Sequence, residues 1–308
     1  MSSVRNYLEG LGFRNIVCGP SESTPAGSFC YPDFNALLSG VTQNWRDDFV
    51  CSSLRTLDQL RSCAQRPFFV LVSVDAPVLT RWERYKKLHP ETQLSLEEFV
   101  QQSDVERFGP PTDSTDDPLN DILKALPHVS VTNNFASLPE LHTHLESLAL
   151  RSSERVRPGW DDYFMLLASL ASLRCNCMKR RVGAVLVRNK VVISTGYNGT
   201  PRGLLNCNEG GCKRCNGTAR SGEAYDSCLC LHAEENALLE AGRDRVGENA
   251  TIYCNTCPCL RCTIKIVQSG VKEVVYNKSY SMDEASANIF KEAGVILRQH
   301  SPPRDPPI

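Results

Sequence analysis

His232, Glu234, Cys259 and Cys262 are the residues of this chain whose types and spacing can do chemistry. They stand in two short stretches, His232-Ala-Glu234 and Pro258-Cys-Leu-Arg-Cys262. One imidazole and two thiolates can hold zinc, which prefers tetrahedral nitrogen and sulfur ligation. Three protein ligands leave one seat for water. The metal lowers the pKa of that water to about 7, which supplies hydroxide at neutral pH. Glu234 is not a ligand; a carboxylate there can carry protons to and from the water. A closed zinc-finger site with a C-x-x-C…H-x-H pattern needs a second histidine. His232 is the only histidine between His144 and His300.

The order H-x-E…P-C-x-x-C is the signature of zinc-dependent nucleobase deaminases. In that chemistry hydroxide adds to C4 of a cytosine ring. Glu234 takes the proton from water, passes it to ring N3 and later protonates the departing ammonia. Two helices must position these groups. One is expected from His232 to Gly242 and the other from Cys259 to Gly270, with Pro258 at the start and glycine at the end of the latter. Helix N-termini favour negative charge, so thiolates at Cys259 and Cys262 are stabilised there.

A length of 308 residues suggests two domains. A hydrophobic content of 41% and a net charge of −1 describe a globular chain without the basic excess that nucleic-acid binding needs. No apolar run approaches the ~20 residues that span a bilayer, so no membrane partner is expected. The start, Met1-Ser-Ser-Val-Arg-Asn-Tyr7, lacks the apolar stretch of a secretory signal. The expected location is the cytoplasm, with the nucleus also open. Fifteen cysteines then argue for metal rather than disulfides. Four lie at Cys18, Cys30, Cys51 and Cys63; the other eleven fall between Cys175 and Cys262, so metal chemistry belongs to the C-terminal half.

The domain boundary is expected near Ser152 to Pro158, giving units at 1–152 and 156–300 and a Pro-rich, frayed tail at 301–308. The segment from Gly109 to Pro118 reads as a polar, Pro-rich loop. Beyond the boundary, Trp160, Phe164, Leu167 and Ala171 recur at helical spacing, with Asp161 and Asp162 in the first turn. Val182–Val187 and Val191–Thr195 read as strands joined by a tight turn at Asn189. Ala250–Tyr253, Glu273–Tyr276 and Val295–Arg298 are further strands. The order β-β-α-β-α-β-α-β predicts an α/β sheet with helices on its faces. In the N-terminal half, Phe68–Val74 reads as a buried parallel strand. Asp75-Ala-Pro77 leads from it into a helix bearing Arg81, Arg84, Lys86 and Lys87. Val129–Thr132 and a helix over Leu138–Leu148 complete a second α/β unit.

Residues 156–300 resemble the deoxycytidylate (dCMP) deaminase family. The matching stretches are Trp160-Asp-Asp-Tyr-Phe-Met165, Arg181-Val-Gly-Ala-Val185, Gly196-Tyr-Asn-Gly-Thr-Pro201, Cys230-Leu-His-Ala-Glu-Glu-Asn-Ala237 and Pro258-Cys-Leu-Arg-Cys262. The resemblance implies a cytidine-deaminase-like α/β/α sandwich and hydrolysis of dCMP to dUMP and ammonia, feeding thymidylate synthesis. It also implies a hexamer, activated by dCTP with Mg2+ and inhibited by dTTP. By the same resemblance Asn198 binds the sugar hydroxyl, though an Asn-Gly turn role also fits. Gly196 and Tyr197 then lie near the effector site. Arg202 and Arg243 are candidate phosphate contacts or plain surface arginines. Lys179-Arg180-Arg181 faces an effector triphosphate or forms a solvated turn.

The N-terminal half resembles the later part of P-loop nucleotide kinases of the dephospho-CoA kinase type. The residues that carry this are Val-Asp-Ala-Pro77 followed by arginines, then Asn133-Asn134 and Ser137-Leu-Pro-Glu-Leu141. No G-x-x-x-x-G-K-[ST] is present, and the Gly-flanked stretch from Gly19 to Gly27 lacks the phosphate-reaching lysine. A degenerate P-loop-kinase-like α/β domain, structural or regulatory, is therefore expected. Pairing of the two halves looks like the fungal form of the family.

Surplus cysteines ask for a second, structural zinc. Relatives place one with a cysteine before the Val-Gly-Ala strand and others in the following insertion. That resemblance favours Cys177, Cys207, Cys212 and Cys228, with Cys215 or Cys230 able to substitute; the metal would order a loop with little apolar content of its own. Cys254 and Cys257 read as packing residues. Two other readings remain. One keeps the zinc chemistry and takes cytosine, cytidine, a guanine-type base or tRNA adenosine. The other is a non-catalytic zinc interaction module, which would have no use for Glu234.

Overall fold

A computed structural model of the chain describes residues 2–19, 28–109, 117–220, 223–279 and 283–302. Most of the stretches from Gly19 to Gly27, from Gly109 to Pro118 and beyond Pro302 lie outside these residues. The chain folds as two compact units, one ending at Arg157 and the other beginning at Pro158.

The C-terminal unit is built on the run Gly183-Ala-Val-Leu-Val187, which is buried on both faces. Alternate residues serve opposite layers, as the two-residue period of a strand requires. Ala184 and Leu186 join one apolar cluster with Ala233, Ala237, Ile252, Cys254, Ile266 and Val274. Val185 and Val187 join another with Phe164, Met165, Ala168, Tyr253 and Val275. A central strand flanked by helices on both sides needs this continuous apolar stretch.

The unit opens with a helix at Trp160–Ser172. The strands are Gly183–Arg188, Val191–Tyr197, Ala250–Thr256, Glu273–Lys278 and Ile296–Gln299. Counting the strands of the N-terminal unit described below, these are β6 to β10. Their sheet order is β10-β9-β8-β6-β7, with β10, β9 and β8 parallel and β6 antiparallel to both neighbours. Asn189 and Lys190 take positive φ of 52° and 63° in the β6–β7 hairpin, as a type I′ turn demands. The mixed α/β architecture, a sheet with helices on both faces, agrees with the sequence expectation. The strands run one to three residues further than their apolar patterns suggest.

The helix expected to stop at Gly242 breaks there, and a further helical turn follows to Val246. Gly242 takes a φ of 67° at the break. Val246 is buried and Arg245 donates to the Ile193 carbonyl at 2.7 Å, so tertiary contacts sustain the last turn.

In the N-terminal unit, β1 (Arg14–Cys18) pairs in parallel with β2 (Phe29–Tyr31) and β3 (Phe49–Cys51). Separately, β4 (Val72–Asp75) pairs in parallel with β5 (Val129–Thr132). The strand expected from Phe68 begins only at Val72. Its partner offers four residues for the ladder, and Phe68 instead packs on the Ile16, Leu37 and Val41 cluster from a turn. Helices at Ser2–Gly10, Phe34–Gln43, Leu57–Ala64, Val78–Leu88, Leu96–Phe108, Leu119–Ala125 and Leu138–Ser147 (α1 to α7) surround these strands. The Trp160–Ser172 helix is thus α8. In α4, Arg84 donates to the carbonyls of Asn133 and Phe135 at 2.9 Å each, which ties the helix to the loop after β5. Among the described residues no helix is long and apolar enough to cross a membrane.

Candidate metal centre

Two helix N-termini converge at the end of β8. The first belongs to Ala233–Val246 and the second to Leu260–Ser269. These are α10 and α11, since a short helix at Lys213–Asn216 is α9. His232 caps α10 and Cys259 caps α11, and neither side chain makes a capping hydrogen bond. Both side chains are turned to each other instead. His232 Nδ1 lies 3.3 Å from Cys259 Sγ and 3.4 Å from Cys262 Sγ. Tetrahedral zinc with ordinary bond lengths separates such atoms by roughly 3.5 Å. The donor set and its geometry therefore fit the metal, with one seat left.

Neighbouring elements hold these caps in place. Asn198 takes over the capping that His232 gives up: its Oδ1 accepts from the Ala233 N–H at 2.8 Å. Leu231 and Gly199 exchange backbone hydrogen bonds at 2.8 and 3.2 Å just before the histidine. Buried Ser286, on the helix Asp283–Glu292 (α12), donates to the Pro258 carbonyl at 3.0 Å. The Lys265 ammonium pairs with Glu235, which joins α11 to α10.

Glu234 is 3% exposed and opens the first turn of α10. Burial raises its pKa and the His232 charge opposes that rise. The carboxyl is thereby poised to accept a proton and give it up again. The Cys259 thiol is pulled down to about 3, first by its hydrogen bond from Cys262 and then by His232.

One cavity connects His232, Glu234 and Cys259 to a set of cations. Its lining includes His232, Glu234, Cys259, Thr256, Cys257 and Asn198, and also Lys179, Arg180, Arg214 and Arg220. Arg214 and Arg220 escaped sequence reasoning. Arg214 lies within a Cys-Lys-Arg-Cys run that reads locally as a metal knuckle. Its Nε donates to the Glu223 carbonyl at 2.8 Å, a placement only the folded loop provides. Arg202 and Arg243 are exposed and do not line this cavity. Tyr197 and Gly196 are not in its lining either; their part is to hold β7 against α10. The Asn236 amide donates to the Tyr197 carbonyl at 3.0 Å.

Six further cysteines gather in the loop between β7 and α10 and just before β6. Cys207, Cys212, Cys215 and Cys230 are buried, with Cys177 and Cys228 packed against them. The foursome Cys177, Cys207, Cys212 and Cys228 is not brought together as one ligand set. Cys177 and Cys207 share a group with Cys215 and Cys230; Cys212 and Cys228 share another with the same two. The residues held as substitutes are thus common to both groups. Cys254 and Cys257 are buried, and Cys257 also faces the cavity.

Residues 158–278 match the family model for the cytidine and deoxycytidylate deaminase zinc-binding region. A Schizosaccharomyces pombe protein named deoxycytidylate deaminase is 49% identical, over 98% of this chain and 94% of the relative. A Saccharomyces cerevisiae protein of the same name is 48% identical, over 88% of this chain and 87% of the relative. A crystal structure of dCMP deaminase from cyanophage S-TIM5, in complex with dCMP and dUMP, is 28% identical. It covers 47% of this chain and 98% of its own, with a TM-score of 0.39.

Proposed function

We propose that this chain, which belongs to the deoxycytidylate deaminase family, hydrolyses dCMP and water to dUMP and ammonia. The observation that carries this reading is the buried Glu234 carboxyl in one cavity with His232 and Cys259. His232 Nδ1 and the thiolates of Cys259 and Cys262 would hold the catalytic zinc. Bound zinc supplies the Lewis acidity that makes water nucleophilic near neutral pH. Glu234 would accept one proton of that water and deliver it to ring N3, then take the proton of the new C4 hydroxyl and pass it to the amino group, which leaves as ammonia while C4=O forms. Asn198, buried and facing the cavity, is suited to the sugar hydroxyl while its Oδ1 caps α10. Lys179, Arg180, Arg214 and Arg220 give the cavity the positive end that a 5′-phosphate requires.

The finer parts of the reading rest on the resemblance to the deoxycytidylate deaminase family. The enzyme is a hexamer of cytoplasmic or nuclear location, activated by dCTP with Mg2+ and inhibited by dTTP. Tyr197, Arg202 and Arg243 lie outside the cavity lining and belong, in this reading, to effector binding. The cysteine-rich loop binds structural zinc. Residues 1–152 are a degenerate nucleotide-kinase-like domain without a Walker A lysine, supported by the parallel pairing of β4 with β5. Residues 156–300 form the deaminase domain and 301–308 the tail.

A substrate panel tests the reading. kcat/KM for dCMP should exceed that for deoxycytidine and cytidine by roughly 100-fold or more, because a nucleoside lacks the phosphate that the positive end of the cavity attracts. Faster turnover of cytidine would overturn it. The same assay with dCTP and dTTP, and the mass of the assembly in solution, test the regulation and the hexamer.

A further inference from the structure

We infer that the cysteine-rich loop holds two zinc ions in one six-thiolate cluster, bridged by Cys215 and Cys230. The inference goes beyond the deaminase reading and does not depend on it. Two four-sulfur groups are present: Cys177, Cys207, Cys215 and Cys230, and Cys212, Cys215, Cys228 and Cys230. All ligand atoms of each lie within 4.8 Å of one another. A tetrahedral site with Zn–S bonds of about 2.3 Å sets its sulfurs roughly 3.8 Å apart. In the first group Cys177 and Cys215 are 3.7 Å apart; in the second, Cys215 and Cys228 are 3.7 Å apart and Cys212 and Cys228 are 3.9 Å apart. The shared pair, Cys215 and Cys230, is 3.8 Å apart. Two tetrahedra that meet along this edge use all six sulfurs and leave none over.

None of these separations is that of a disulfide, which needs about 2.05 Å. A single zinc with four ligands would strand two thiols in the same buried cluster. Two divalent ions instead neutralise most of the charge on six thiolates. Donors offset the remainder: the Met178 N–H reaches Cys207 Sγ at 3.4 Å and Arg214 Nη1 reaches Cys228 Sγ at 3.9 Å. The apolar cluster of this loop consists of the cysteines themselves, so the metal supplies the order that a hydrophobic core gives elsewhere. Cys230 stands two residues before His232, so the cluster fixes the chain that enters α10.

Zinc content of the full-length protein, measured by elemental mass spectrometry against amino-acid analysis, should be three ions per chain. Cys215→Ser should lower it to one, and Cys259→Ser to two. Exchange with cadmium-113 should give two tetrathiolate NMR signals split by coupling through the shared sulfurs. A wild-type count of two that Cys259→Ser lowers to one, or tetrathiolate signals without mutual coupling, would overturn the cluster. The wild-type count and spectrum decide the matter even where Cys215→Ser fails to fold. Failure of Cys259→Ser alone to lower the count would count against the catalytic centre and leave the cluster standing.

Discussion

Gly196 of β7 lies directly against the backbone of Ala233, the first residue of the helix that carries Glu234. A Cβ at Gly196 would stand 2.0 Å from the Ala233 carbonyl oxygen and 2.5 Å from the Ala237 nitrogen. No side chain can yield there, because both atoms belong to the α10 backbone. Ser194, one turn of the pleat earlier, donates to the Ala237 carbonyl at 2.7 Å and closes the same contact.

Gly196→Ala should therefore push α10 off the sheet. We expect destabilisation of about 1–3 kcal/mol, typical of overpacking, and a loss of kcat larger than that stability change implies, since the His232 cap moves with the helix. Urea unfolding and steady-state rates measure both. Gly10→Ala, where a Cβ meets nothing within 4 Å, should stay within about 0.5 kcal/mol of wild type. Equal behaviour of the two variants would contradict the close packing.

Glu234→Gln should keep the fold and the zinc count, because a neutral amide suits a site where burial already raises the carboxyl pKa. Loss of the proton carrier should lower kcat by roughly 10²–10⁴-fold. A variant with near-normal turnover would remove Glu234 from the chemistry.

Cys259→Ser should lower bound zinc by one ion per chain and abolish deamination. The apolar cluster beneath α10 and α11 remains, with Ile266, Ala237 and Ile252 fully buried, so thermal unfolding should stay cooperative. An unchanged metal count would exclude Cys259 as a ligand.

The first turn of α8 should govern acid stability. Asp161 receives two hydrogen bonds from Arg298, at 2.6 and 3.1 Å, and one from Tyr253 at 2.8 Å. The Arg298 guanidinium, then Tyr253, hold its pKa below the usual 3.8 against the opposing effect of burial. A depressed carboxylate contributes stability above its unfolded pKa and loses it as pH falls through the folded value. Asp161→Asn should thus lower the melting temperature at neutral pH, and the difference from wild type should shrink below about pH 4. A difference constant with pH would show that the ion pair is not the source.

The candidate trio of His232, Cys259 and Cys262 was legible from sequence because its requirements are local. His232 and Glu234 are two residues apart, Cys259 and Cys262 are three apart, and each pair begins a helix whose apolar period is visible. The sheet was legible for the same reason, since Gly183–Arg188 is apolar on both faces and can only be central. Where local pattern met tertiary contact, the contact prevailed: Phe68 left the strand for a neighbouring cluster, and beyond the break at Gly242 a further turn forms that buries Val246.

The grouping of the thiols was beyond any pattern in the chain. Cys177, Cys207, Cys212, Cys215, Cys228 and Cys230 differ little in spacing and type, so sequence order alone pairs them ambiguously. Only the folded loop brings Cys215 and Cys230 between the other four, and only it turns Arg214 and Arg220 toward the cavity that His232 and Glu234 share. Residue types and spacings along the chain determined the reaction centre. Distances between segments far apart in the chain, which no spacing encodes, decided how the thiols group and which cations line the cavity.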